Sequence, residues 1–262
     1  LPTGSVSYLY YADRINQLPL AVIGIAIGTA LLPKMSRNIQ AGRDAAANED
    51  QEKSLGIGLI LTIPAAFGLM VLSDPIITTL FQRGAFDTTS TTSTALALAC
   101  YSAGLPAFVI IKIFQPNFFA RHDTATPVKI AAVSVVINLI LNLILMQYFA
   151  HAGLAMATSI SAWLSAILFM ILLKRKNFYS PQKLLVRKII RIILAASVMG
   201  LGLFALNEIS KDFFQNSNFL GTSILLLLIF CGGLIYFISL FLFNAISKEE
   251  IVANLKRWSA RD

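Results

Sequence analysis

Seven apolar runs, each approaching twenty residues, dominate this 262-residue chain and leave it few folds to choose from. A membrane-spanning helix needs about 20 such residues, a spanning strand only about ten. In the bilayer core no water pairs with the backbone, so every N–H and C=O must be satisfied internally, and runs of this length do that as helices. Windows of about twenty residues place the spans at 5–33, 55–81, 91–120, 127–149, 153–173, 188–208 and 220–246. Composition agrees: 56% of the residues are hydrophobic and 13% charged, against about 25% charged in a soluble domain. The chain reads as an all-α polytopic membrane protein. Pro64, or Ser-Asp-Pro at 73–75, offers the second span a place to bend or stop, and Pro106 and Pro116 bend the third.

The connections alternate in charge. Seventeen of the 21 lysines and arginines fall in the loops after spans one, three and five and in the tail. The opposite side carries Arg83 and Lys211, while Arg14 and Lys112 lie within spans. Positive loops stay inside, which puts the C-terminus in the cytoplasm and Leu1 outside. The net charge of +8 is therefore a topology signal, with anionic membrane lipids as partners and no case for nucleic acid. The polar stretch 42–54 reads as a surface helix between two spans, and the tail from Lys248 as an interfacial helix on the inner leaflet, with a disordered basic tail as its alternative. The chain opens on Leu1, with a loop entering a helix and no signal-peptide pattern, and is expected to be the C-terminal part of a longer protein.

Ionisable residues inside spans are costly and mark functional sites by default. The first span holds two, in GSVSYLYYADRINQLPLAVIGIAIGTALLP. On helical spacing Ser7, Tyr10, Tyr11 and Arg14 fall within about a 100° arc, and Asp13 points about 100° from Arg14. A polar stripe ending in a permanent cation reads as a wall that meets something anionic. The alternative is that the pair lies near the head groups and Arg14 snorkels. Lys112 carries the same two readings, a lipid-phosphate or cavity role against snorkelling. Gly24 and Gly28 form a small-xxx-small motif for close helix packing, and Asn138 and Asn142 share a face for hydrogen bonds across helices. Cys100 and Cys231 lack metal-ligand spacing, and His122 and His151 sit in separate connections. No zinc-protease signature, phosphate loop or carboxylate pair lies at membrane depth, so the chain is read as no enzyme, with no metal and no cofactor.

YYADRINQLP, FQRGAF, YSAGLPAF, KIFQPNFFARHDTATPVKI and HAGLAMATSI, in that order, resemble the MurJ (MviN) family of lipid II flippases over about residues 1–175. The resemblance implies the multidrug/oligosaccharidyl-lipid/polysaccharide exporter fold, fourteen helices in two six-helix lobes plus an extra helix pair. This chain would be its C-terminal part: residues 1–178 most of the second lobe, in five spans, and 179–262 the extra pair with a basic tail. It also implies a multi-pass protein of the bacterial inner membrane that moves lipid II by alternating access, with the N-terminal half of the same protein as partner. In the family, the diphosphate and sugars occupy a cationic cavity and the polyprenyl tail a groove beside the extra pair. The cavity arginine of the family matches Arg14 and its polar neighbour matches Ser7. A glutamate often found three residues beyond that arginine is Gln17 here, which alters the charge balance. Arg14, Ser7, Tyr11, Asp13, Gln17 and Lys112 are the candidate substrate-binding residues. Alternatives are an exporter of drugs or other polyprenyl-linked oligosaccharides, a membrane-embedded glycosyl- or phosphotransferase, and a non-transporting partner of cell-wall machinery.

Overall fold

A computed structural model describes the protein over residues 3–214 and 218–245. Its described residues form helices joined by short turns. In order they are α1 (Ser5–Pro19), a π-helical stretch (Leu20–Ile25), α2 (Ala26–Gln40), α3 (Asp44–Val71), α4 (Ser73–Phe81), α5 (Thr88–Ser102), α6 (Leu105–Phe119), α7 (Ala125–Arg175), α8 (Lys183–Phe214) and α9 (Asn218–Leu242). Six continuous stretches are long and apolar enough to cross a membrane, and one of these, α7, is two helices. The expected tail helix from Lys248 lies outside the described residues.

The first span runs unbroken from Ser5 to Gln40 because its proline is absorbed. Pro19 has no N–H to offer the carbonyl a turn earlier, and the ladder widens into π register directly after it. That stretch presents buried Gly24 to α6. A Cβ there would stand 3.6 Å from Val109, and one at Gly28 would stand 3.5 Å from the Lys112 carbonyl. The small-residue motif thus works as a packing face.

The second span differs from its expected bounds. Residues 44–54 are not a separate surface helix but the first turns of α3, which passes through Pro64 and ends at Val71. Nothing between Asp44 and Ser54 breaks a helix, so propensity carries the polar turns into the apolar ones. The short α4 follows, opening at Ser-Asp-Pro. The third span breaks at Ala103–Gly104, beside Pro106, which sits in the first turn of α6, while Pro116 lies inside that helix and does not interrupt it. Carbonyls freed at the break find donors on α7. The Ser159 hydroxyl donates to Cys100 at 2.6 Å, and the Trp163 indole to Ala103 at 2.9 Å. A Cβ on Gly104 would fall 2.7 Å from the Ser159 hydroxyl, so the two helices meet with no room for a side chain.

α7 reverses at Ala150, whose φ of 48° and ψ of −127° divide it into helices over 125–149 and 151–175. These are the expected fourth and fifth spans, and Asn138 bridges them through the Ser161 hydroxyl at 3.2 Å. Asn142 donates to Asn138 at 3.0 Å, as the shared face predicts. Gly153 closes the corner, where a Cβ would collide with the Leu145 carbonyl.

α8 and α9 form a hairpin whose glycines admit the opposite helix, Gly232 against Leu203 and Gly202 against Ile235. The pair docks on α3: Gly200 faces Phe67, and the Tyr236 hydroxyl donates to the Ile60 carbonyl at 2.7 Å. One buried apolar cluster joins α3, α4, α5, α8 and α9 with Ala12 of α1. A second lies around α2, α3, α6, the end of α7 and the start of α8.

The end carrying the basic loops is braced by polar bonds. Arg121 pairs with Asp44 and donates to Asn117 at 2.5 Å, and Asn117 donates to Gln51 at 2.5 Å. Asn117 and Gln51 are fully buried. Lys176 binds Asp123 at 2.5 Å, Lys34 binds Asp50 at 2.5 Å, and Glu52 accepts the Gln182 backbone N–H at 2.6 Å. Burial pulls the Arg121 guanidinium below its usual range, against the opposing pull of Asp44. Burial likewise pushes the Tyr179 hydroxyl well up, with Glu52 adding to the rise.

Candidate functional site

The exposed face of α1 centres on Arg14. Ser7, Tyr10, Arg14 and Gln17 are all exposed, and their spacing sets them within about 80° of one another on the helix. The opposite face is packed through Ser5, Ala12 and Asn16, against α5 in particular. A stripe holding a guanidinium, an amide, a phenol and a hydroxyl is ill suited to hydrocarbon, where such groups lack partners.

Within this stripe the charges are arranged unequally. The Arg14 guanidinium lies over the Tyr10 ring, 4.8 Å from its centroid. Cation–π stacking of this kind holds a guanidinium without neutralising it. Asp13 accepts a bond from the Gln17 amide instead of pairing with Arg14. A glutamate at position 17 would set a second carboxylate beside Asp13; glutamine relieves that repulsion and ties the carboxylate down. Among the described residues no carboxylate pairs with Arg14, which remains a cation presented to whatever faces α1.

Tyr11 turns away from the stripe into an aromatic group that the amino-acid order does not announce. Its ring meets Phe81 at 4.8 Å and Phe86 at 5.6 Å, and meets Tyr10 edge-on at 5.8 Å. Phe81 and Phe86 flank a turn in FQRGAF. Gly84 takes a φ of 60° there, a conformation that disfavours other residues. The Arg83 guanidinium donates to the Leu80 carbonyl at 2.8 Å, and Asp87 caps α5 by accepting the Ser90 N–H at 2.8 Å. That backbone bond, helped by the Ser90 hydroxyl, holds the Asp87 carboxyl below its usual range. The signal for these phenylalanines was their placement in a six-residue turn motif, but their partner lay some seventy residues away.

Above the stripe, Tyr8 stacks edge-on with His151 at 5.5 Å, and His151 Nε2 donates to the Ser93 carbonyl at 2.9 Å. α1 is thereby tied to α5 and to the corner of α7. Lys112 stands apart from Arg14. It is exposed on α6 with its stem along Gly24, ten residues and about 15 Å of helix beyond Arg14. The structure therefore groups Ser7, Asp13, Arg14 and Gln17, links Tyr11 to them through Tyr10, and leaves Lys112 as a separate cation.

Comparison with known proteins agrees with this architecture. The family model described as "Lipid II flippase MurJ" matches residues 1–242. A probable lipid II flippase MurJ of Rhizobium tropici is 38% identical over 256 residues, 97% of this chain and 48% of its own length. One from Rickettsia prowazekii (strain Madrid E) is 45% identical over 160 residues, 61% of this chain and 32% of its own. A solved structure, lipid II flippase MurJ in its inward closed conformation, matches with a TM-score of 0.76 at 28% identity, covering 92% of this chain and 48% of that one. The chain spans about half the length of its Rhizobium tropici relative and less of the Rickettsia one. With the family model matched over residues 1–242 of the chain and the same helical arrangement, this multi-pass membrane chain belongs to the MurJ family of lipid II flippases.

Proposed function

We propose that this chain supplies one wall of a transport cavity that flips lipid II across the bacterial inner membrane, with Arg14 contacting the diphosphate. The observation that carries the reading is the exposed, unneutralised guanidinium at the centre of the polar α1 face. A diphosphate suits arginine, which stays charged and bonds phosphate oxygens in a forked geometry. Gln17 and Ser7 offer further hydrogen bonds one and two turns away, and Tyr10 orients the cation. In this reading the facing wall belongs to an N-terminal half of the same protein. Alternating access exposes the cavity to each side in turn, and rehydration of the guanidinium releases the head group. Residues 1–178 act as most of one transport lobe.

Residues 179–262 are assigned the polyprenyl tail. α8 and α9 carry no charge in their middles and leave apolar side chains such as Leu201, Phe204, Phe230 and Phe237 exposed. Such a pair cannot hold a head group but can border a lipid groove. The basic residues from Lys174 to Arg191 then face the cytoplasm and attract anionic lipid, and the C-terminus lies on that side. The test is complementation of a flippase-depleted bacterium by the full-length protein. Normal growth on well-expressed Arg14→Ala would remove Arg14 from the substrate site.

A further inference from the structure

We propose that Tyr10, Tyr11, Phe81 and Phe86 form a stacking subsite for the sugar joined to the diphosphate, an inference that rests on the flippase reading above. The four rings make one continuous strip. Tyr10 meets Tyr11 at 5.8 Å, Tyr11 meets Phe81 at 4.8 Å and Phe86 at 5.6 Å, and Phe81 meets Phe86 at 6.1 Å. The strip begins at the guanidinium that stands 4.8 Å over Tyr10.

Three features fit the strip to a pyranose. The first is chemical: an aromatic face is electron-rich, and the C–H groups along one face of a sugar ring carry the complementary positive charge. The second is position. A phosphate held by Arg14 places the sugar bonded to it beside Tyr10 and Tyr11, and Tyr10 remains 54% exposed despite the guanidinium on it. The third is rigidity. Phe81 and Phe86 are set by the Gly84 turn, whose ends are fixed by the Arg83 bond to Leu80 and by the Asp87 cap on α5. A belt of aromatics anchoring α1 in the lipid interface is the rival assignment. In that assignment Arg14 snorkels to the head groups, and the rings give no preference for a glycosylated lipid.

The experiment uses the full-length protein in nanodiscs and two probes, a bare polyprenyl diphosphate and the same lipid carrying a diphosphate-linked disaccharide. The wild type should bind the glycosylated probe more tightly. Tyr11→Leu and Phe81→Leu should each reduce that preference about fivefold, the scale of a lost aromatic contact, and Tyr10→Phe should keep it. Arg14→Ala should weaken both probes together. Should Tyr11→Leu destabilise the protein, Phe86→Leu gives the same readout without touching the ring under Arg14. A preference unchanged in the leucine variants, or an equal loss for both probes, overturns the subsite. Failure of the wild type to bind either probe instead overturns the flippase reading on which it rests.

Discussion

Arg14 and Asp13 are neighbours in the chain but not partners: the guanidinium stacks on Tyr10 while the carboxylate is held by Gln17. A helix turns about 100° per residue, which sends the two charges to different faces. A salt bridge between them would have cancelled the cation. Their separation leaves a permanent positive charge available to an anionic ligand.

Ser7 lies two turns before Arg14 and is exposed on the same face. Ser7→Cys in the full-length protein should react with a membrane-impermeant maleimide, and bound lipid II or a head-group mimic should slow the reaction. A cysteine inert in every conformational state would show that this face meets lipid or protein instead of water.

Gln51 and Asn117 are buried together, each without exposure and bonded at 2.5 Å. Replacing Gln51 by leucine strands the Asn117 amide N–H, replacing Asn117 strands the Gln51 amide oxygen, and either should cost about 1–3 kcal/mol of stability. The double Leu variant should cost less than the two singles combined. Thermal unfolding of the full-length protein in detergent measures both, and strict additivity would show that the bond contributes nothing.

Asp123 is held at about 2, below its ordinary 3.8, first by the Lys176 side chain and also by the Thr126 backbone and hydroxyl. A carboxyl whose folded value is depressed stabilises the fold above its unfolded value, and loses that contribution as pH falls toward the folded one. Melting temperature should therefore drop between about pH 4 and about pH 2, and Lys176→Met should flatten this part of the profile. Identical profiles for the two proteins would dissociate Lys176 from the titration.

The α8–α9 hairpin buries one face of α9 at Gly232, against Leu203, and leaves Gly233 open. A photoreactive polyprenyl tail should accordingly mark the surface around Gly233 more than that around Gly232. Crosslinks confined to α1–α7, together with transport intact after deletion of 179–262, would make the pair a packing appendage.

Much of this was legible in the chain because hydrophobic length is a local property. The spans, the α7 reversal near HAGL and the Asn138–Asn142 face follow from runs and spacing within a few turns. The break at Gly104 was legible as a bend at Pro106, but not the Ser159 and Trp163 side chains that reach across from α7 to the freed carbonyls. Prolines drew attention as bending points, yet Pro64 and Pro116 lie within continuous helices. In the candidate site, the α1 stripe follows from helical spacing. The turn of Tyr11 toward Phe81 and Phe86, and the distance of Lys112 from Arg14, are products of the tertiary fold.

In the proposed mechanism Arg14 carries the diphosphate. The most direct measurement is the amount of lipid II reaching the outer face of cells that depend on the full-length protein, compared at equal expression for the wild type, Arg14→Lys and Arg14→Ala. Arg14→Ala should abolish delivery. Arg14→Lys should keep part of it, because lysine preserves the charge but loses the forked hydrogen bonds. Wild-type delivery by Arg14→Ala would mean that the diphosphate is held elsewhere.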